Sequence, residues 1–98
     1  MGLVRLSHLA DGDLDAIRDK FAAHNPSAAS RVLEDLIETL ELLAGQPQVG
    51  EQRDDLSPRL RVFSVRPYVI LFYPAADGIH VARIVHGARD FPTLFAAT

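Results

Sequence analysis

Leu60-Arg61-Val62-Phe63-Ser64-Val65, then Tyr68-Val69-Ile70-Leu71-Phe72-Tyr73, then Ile79-His80-Val81-Ala82-Arg83-Ile84-Val85 is the stretch whose reading decides the fold. It is rich in β-branched and aromatic residues and carries none of the helical spacing found earlier in the chain, so it reads as three consecutive strands. Residues 68–73 are almost continuously apolar, as expected of a central strand covered on both faces. Pro67 restarts the chain before it, Pro74 is expected to end it, and Asp77-Gly78 signals a turn. Short connections make the three strands an antiparallel meander.

Working outward, residues 46–59 are polar and hold Pro47, Gly50 and Pro58. They read as a loop longer than most connections in a compact domain, and hence as a contact surface. Before that loop, Ala29, Val32, Leu33, Leu36, Leu40 and Leu43 recur along one helical face, with Arg31, Glu34, Asp35, Glu38 and Glu41 opposite and Gly45 with Pro47 as the stop. Ala10, Leu14, Ile17 and Phe21 make a second apolar stripe, with Asp11, Asp13, Asp15, Arg18 and Asp19 assigned to the other faces. Asn25-Pro26 divides the two helices, because a residue before proline avoids the α region and proline suits a first turn. With Leu3–Leu6 as an opening strand, the order is β-α-α-β-β-β. The fold expected is α+β, a helical hairpin on a small curved antiparallel sheet, with residues 1–98 forming a single domain.

The 98 residues include no cysteine, which excludes thiolate metal sites, disulfides and Cys nucleophiles and suits a reducing cytoplasm. The longest apolar run is far too short to span a membrane, and Arg5 and His8 interrupt what a signal peptide would keep apolar. The formal charge of −3 argues against broad nucleic-acid binding, which needs a basic surface. That charge is uneven, with −4 in residues 1–50 and +1 in residues 51–98, and nine of the ten bases are arginines. Arginine suits bidentate contact with carboxylate or phosphate. No GxGxxG, Walker A, HExxH or GxSxG pattern occurs, so no cofactor is expected.

Simple alternation places Arg83 in phase with Val81 and Val85, with His80, Ala82, Ile84 and His86 on the opposite face. An arginine in an apolar row is either a structural ion pair or, with Arg61, a cationic patch for a partner. His80 and His86 share a face in this reading but stand about 20 Å apart, too far to share a metal ion. His86 is a candidate proton carrier or a hydrogen-bonded structural histidine. Gly87 is a candidate for a backbone conformation closed to other residues, and Asp90 for a cap. Phe91, Leu94 and Phe95 follow the last strand and need either to fold back or to meet a partner.

The chain resembles the ParE branch of the RelE/ParE superfamily of bacterial toxins. The residues that carry the resemblance are Leu6-Ser7, Ala10 and Asp13-Leu14; Pro26 with Ala28-Ala29; Leu42-Leu43, Pro47 and Gly50; Leu60-Arg61, Tyr68 and Leu71-Phe72-Tyr73; and the run Arg83-Ile84-Val85-His86-Gly87-Ala88-Arg89-Asp90. The resemblance implies the toxin of a type II toxin–antitoxin pair, wrapped by the C-terminal segment of a cognate antitoxin. ParE-like members are implied to poison DNA gyrase through protein contact, without sequence-specific DNA binding. RelE-like members cut messenger RNA in the ribosomal A site.

RelE-like cleavage by a 2′-hydroxyl needs a base, an acid and cations for the developing charge. Those relatives carry basic residues on the second and third strands and a Tyr or His near the C-terminus, where this chain has Leu60, Val62, Val69 and Phe95. The ribonuclease alternative falls back on Arg61, Arg83, His86 and Arg89. The leading expectation is a gyrase poison with Arg61, Arg83, Arg89, Phe91, Leu94 and Phe95 at its antitoxin or target surface. A third reading is a non-toxic binding module on the same fold.

Overall fold

A computed structural model describes residues 2–88; Arg89, Asp90, Phe91, Leu94 and Phe95 lie outside the described residues. The elements are β1 (Leu3–Leu6), α1 (His8–His24), α2 (Pro26–Gly45), a 3-10 turn (Pro47–Val49), β2 (Glu51–Gln52), β3 (Arg61–Val65), β4 (Tyr68–Ala75) and β5 (Gly78–His86). They form a five-stranded sheet ordered β1-β5-β4-β3-β2, with β4 at its centre as the apolar run requires. The expected meander is present in β3, β4 and β5, which pair antiparallel.

Three expectations need correction. The sheet is mixed, because β1 lies parallel to β5 with Leu3 opposite Gly78 and Leu6 opposite Val81. The intervening hairpin supplies the long crossover that a parallel pairing demands. The stretch after Gly45 is not all loop: Glu51 and Gln52 pair with Val62 and Arg61 as a short fifth strand. Pro74 does not end β4, which continues to Ala75 opposite Gly78. Gly78 has φ +151° and lies so close to the Leu3 backbone that a Cβ would collide with it. The β4–β5 turn therefore requires glycine for its conformation and for the approach of β1.

Apart from Ala29, whose side chain lies outside those described, the helix stripes do what their spacing predicts. Ala10, Ile17, Leu36, Leu40 and Leu43 are buried against Tyr68, Ile70, Phe72, Ile79, Val81 and Ile84, with Leu14, Phe21, Val32 and Leu33 partly buried around them. Each fully buried Leu, Ile or Phe contributes about 1.5–3 kcal/mol before the entropy of ordering it is subtracted. On the opposite face of the sheet, Leu60, Val62, Leu71 and Val85 form a smaller cluster, flanked by Leu56, Val69 and Tyr73. The expectation that β4 is covered on both faces is met, by helices on one side and by the 53–60 loop on the other.

Candidate interaction surface

Strand β5 does not alternate simply. Leu71 pairs with Arg83 but Phe72 pairs with Val81, so Ala82 is an extra residue in a β-bulge. A bulge resets the phase of every residue beyond it. Val81 and Ile84 consequently share the helix-covered core, whereas Val85 packs in the opposite cluster. The in-phase row of Val81, Arg83 and Val85 is thus replaced, and so is the shared face of the two histidines. His80 is paired with Tyr73 and exposed, whereas His86 is paired with Tyr68 and reaches the helix side.

The start of α1 is fitted to this bulge. Ser7 caps the helix, its Oγ accepting from the Ala10 amide at 3.0 Å and donating to the Ala82 carbonyl at 2.7 Å. One turn on, Asp13 accepts from Arg83 Nε at 2.8 Å and NH2 at 3.0 Å, and its Oδ2 also accepts from the Ile84 amide at 2.9 Å. Both side chains are largely covered, at 29% exposed for Arg83 and 16% for Asp13. A carboxylate that receives a bidentate arginine and a backbone amide is a strong, directional anchor. Of the two readings open for Arg83, the structural ion pair is the one the geometry shows. Asp13 does not lie on an outward face as its charge suggested. At 100° per residue it borders the Ala10, Leu14, Ile17 stripe, which was the available signal that it needed a cation.

Arg61 and Arg83 do not make a joint patch. They stand on the strands flanking β4, and each is anchored separately. Arg61 donates to the Gly50 carbonyl at 2.6 Å and, more weakly, to Gln52 Oε1 at 3.4 Å. His86 meets the Tyr68 ring edge-on at a centroid distance of 6.0 Å. The two rings, with Asp13, Ala16, Ile17, Lys20 and Ile84, line a cavity of about 180 Å³ between α1 and the sheet. A phosphate there would meet Lys20 but also the Asp13 carboxylate, whose charge works against the build-up that phosphodiester cleavage requires. Gly87 has no positive φ; its constraint is the approach of Val69 Cγ2, 3.0 Å from where a Cβ would stand, and its amide donates to the Pro67 carbonyl at 2.8 Å.

The family described as "ParE toxin of type II toxin-antitoxin system, parDE" matches this chain over residues 4–91. The chain belongs to the ParE toxin family. ParE relatives include Toxin ParE3 of Caulobacter vibrioides, 33% identical over 91 residues that span 92% of this chain and 91% of that protein. Toxin RelE2 of the same organism is 39% identical over 77 residues, covering 79% and 85%. A solved structure titled "Chromosomal ParDE TA system from P. aeruginosa" superposes with a TM-score of 0.72 at 25% identity, over 88% of this chain and 96% of that one. The ParE fold, two helices on one face of a mixed sheet, is therefore shared with that structure.

The polar 53–60 loop of this ParE chain is held from several sides. Arg53 N donates to the Leu60 carbonyl at 2.7 Å, Leu60 N to Ser57 at 3.0 Å, and Ser57 Oγ lies 2.8 Å from the Tyr73 hydroxyl. Arg53 is paired with Asp55 at 2.9 Å, and hydrogen bonding from that guanidinium lowers the Asp55 carboxyl below its ordinary range. Arg59 sits within the loop at φ +67°, the left-handed region, while its amide donates to Asp54 Oδ1 at 2.8 Å. For a residue with a Cβ that region costs about 1–2 kcal/mol. Sequence reading missed Arg59, because nothing in residue type marks an arginine as left-handed.

At the other end of the sheet, the exposed Arg5 and Asp77 share two hydrogen bonds of 2.8 and 2.6 Å. The bonds from Arg5, against smaller desolvation, hold the Asp77 carboxyl down at about 2. This pair ties β1 to the β4–β5 turn.

Proposed function

We propose that the chain poisons DNA gyrase by protein contact and is held inactive by a cognate antitoxin. Family membership over residues 4–91 supports the toxin role, and the related structure titled as a ParDE system supports an antitoxin partner. What favours gyrase over the ribosome is the Asp13–Arg83 pair. Among the described residues, the last strand's arginine is engaged by a carboxylate, and the cations that share a cavity with His86, Lys20 and Arg66, line two separate cavities. A poison of this kind must bind the cleaved-DNA state of gyrase more tightly than the resealed state, since equal affinity shifts no population. The test is a supercoiling assay with purified toxin. Supercoiling is expected to fall with toxin concentration and to return when antitoxin is added; unchanged supercoiling over a wide concentration range defeats the proposal.

One observation favours a second reading, ribosome-dependent cleavage of messenger RNA. It is the relative named Toxin RelE2, at 39% identity. Arg61, Arg83, His86 and Arg89 would then serve the reaction. Mapping messenger 5′ ends in a translating extract separates the two, because codon-phased cuts that disappear with Arg89→Ala belong to the ribonuclease alone.

A further inference from the structure

We propose that Asp13 is a specificity-determining residue: its carboxylate closes the cavity between α1 and the sheet to phosphate groups, and so keeps this toxin from taking RNA as its target. The inference rests on the reading above that the chain is not a ribonuclease, and it names the residue responsible. The cavity, about 180 Å³, is lined by Asp13, Lys20, Tyr68 and His86 together with Ile17 and Ile84. That volume is far above the roughly 10–15 Å³ that admits one water. Apart from Asp13, the polar part of the lining suits an anion, because Lys20 offers a charged donor and His86 a ring N–H. Arg83 adjoins the same wall through Asp13, which it meets with Nε at 2.8 Å and NH2 at 3.0 Å.

Asp13 opposes that use in two ways. It occupies both of those donors of the Arg83 fork, the group whose shape best matches a phosphate, and its Oδ2 also takes the Ile84 amide at 2.9 Å. It also sets a negative charge in the cavity wall. With its side chain 16% exposed and lining the cavity, the carboxylate is not sealed beneath the surface, so an entering phosphate meets its repulsion as well as the attraction of Lys20. A neutral side chain at position 13 would leave Lys20 and the released Arg83 fork bordering one space, with no carboxylate among its described lining residues. Cations around one phosphate are what RNA cleavage requires, so this single carboxylate separates the two target classes.

The test is an NMR titration of the full-length wild type, Asp13→Asn, Asp13→Glu and Asp13→Asn/Lys20→Ala with inorganic phosphate and, separately, with a six-nucleotide oligouridylate, read at Lys20 Nζ, the His86 ring and the Ile84 amide. Asp13→Asn loses the charge but keeps an oxygen for the Ile84 amide. It is expected to bind both probes at least about tenfold more tightly than wild type at low salt, with the gain shrinking as salt is added. Asp13→Glu retains the charge and should behave as wild type, and removing Lys20 from the asparagine variant should cancel most of the gain. A merely structural role for Asp13 produces neither response. A wild type that already takes either probe into the cavity overturns the inference whatever the stability of the variants, as does a folded Asp13→Asn that gains nothing. A gain for phosphate without one for the oligonucleotide also overturns it, because the exclusion would then concern free ions alone. Should Asp13→Asn unfold, Asp13→Asn/Arg83→Gln removes both charges of the pair and must still bind phosphate several-fold more tightly than wild type through Lys20. Gyrase takes no part in these titrations: unchanged supercoiling defeats the gyrase reading, whereas the role of Asp13 is decided by the binding alone.

Discussion

The two faces of the sheet are closed by different means. On one face, α1 and α2 bury a wide row of apolar side chains in which Phe72, Leu36, Leu43 and Ile79 are fully covered. On the other, the irregular 53–60 loop covers only Leu60, Val62, Leu71 and Val85, through Leu56 and the Ser57–Tyr73 hydrogen bond. The helix side is stabilised by burial and periodic packing. The loop side depends on a few directional contacts around a small cluster, and it carries the strained Arg59. The loop face is therefore expected to be the less stable of the two.

Denaturant unfolding should separate the faces most clearly at β4, whose adjacent residues point opposite ways. Phe72→Ala is expected to cost about 3–5 kcal/mol, and Leu71→Ala about 2–3 kcal/mol because the loop above it can collapse. Equal losses would show that the two faces are equally rigid. Next in size is Asp13→Ala, which strands a partly buried arginine and removes the acceptor of the Ile84 amide. A loss of about 2 kcal/mol is expected, with part regained in the double variant Asp13→Ala/Arg83→Leu. An unaltered unfolding midpoint would mean that α1 does not depend on the bulge.

Tyr73→Phe removes the Ser57 contact and should cost about 1 kcal/mol, with hydrogen exchange accelerating in residues 53–60 more than in the helices. The smallest effect belongs to the exposed Arg5–Asp77 pair. Because the folded Asp77 carboxyl is held at about 2, below its ordinary value of 3.8, its contribution is fully present above about pH 4 and is lost as the pH falls toward 2. A carboxyl titration followed by NMR should place Asp77 near 2 in the native protein and move it back toward the ordinary value in Arg5→Ala. No movement would mean that the pair does not persist in solution.

The same contrast explains how far the sequence could be read. The hairpin and the three-strand meander follow from periods of 3.6 and 2, which Ile17, Leu36, Leu40 and Ile70 obey. Strand β1 was visible, but its parallel pairing was not, because pairing direction is set by where the hairpin returns the chain. The bulge at Ala82 was invisible for a related reason: Ala82 and Arg83 carry no local signal for an inserted residue, yet that insertion reassigns His86 and sends Arg83 to Asp13. Ser7 before the first apolar stripe and Asp13 at its border were the clues available. Of the candidate site, Arg61, Arg83 and His86 could be named from the sequence, but not their separate anchoring, which depends on partners 11 to 70 positions away in the chain.

The central claim, a toxin that acts by holding a protein target in one state, is tested most directly by gyrase reactions stopped with detergent and protease. Linear DNA released from covalently trapped enzyme should accumulate with purified toxin, and should fall to background when antitoxin is present. Folded toxin that leaves the cleaved fraction at background while cutting ribosome-bound messenger would contradict the account.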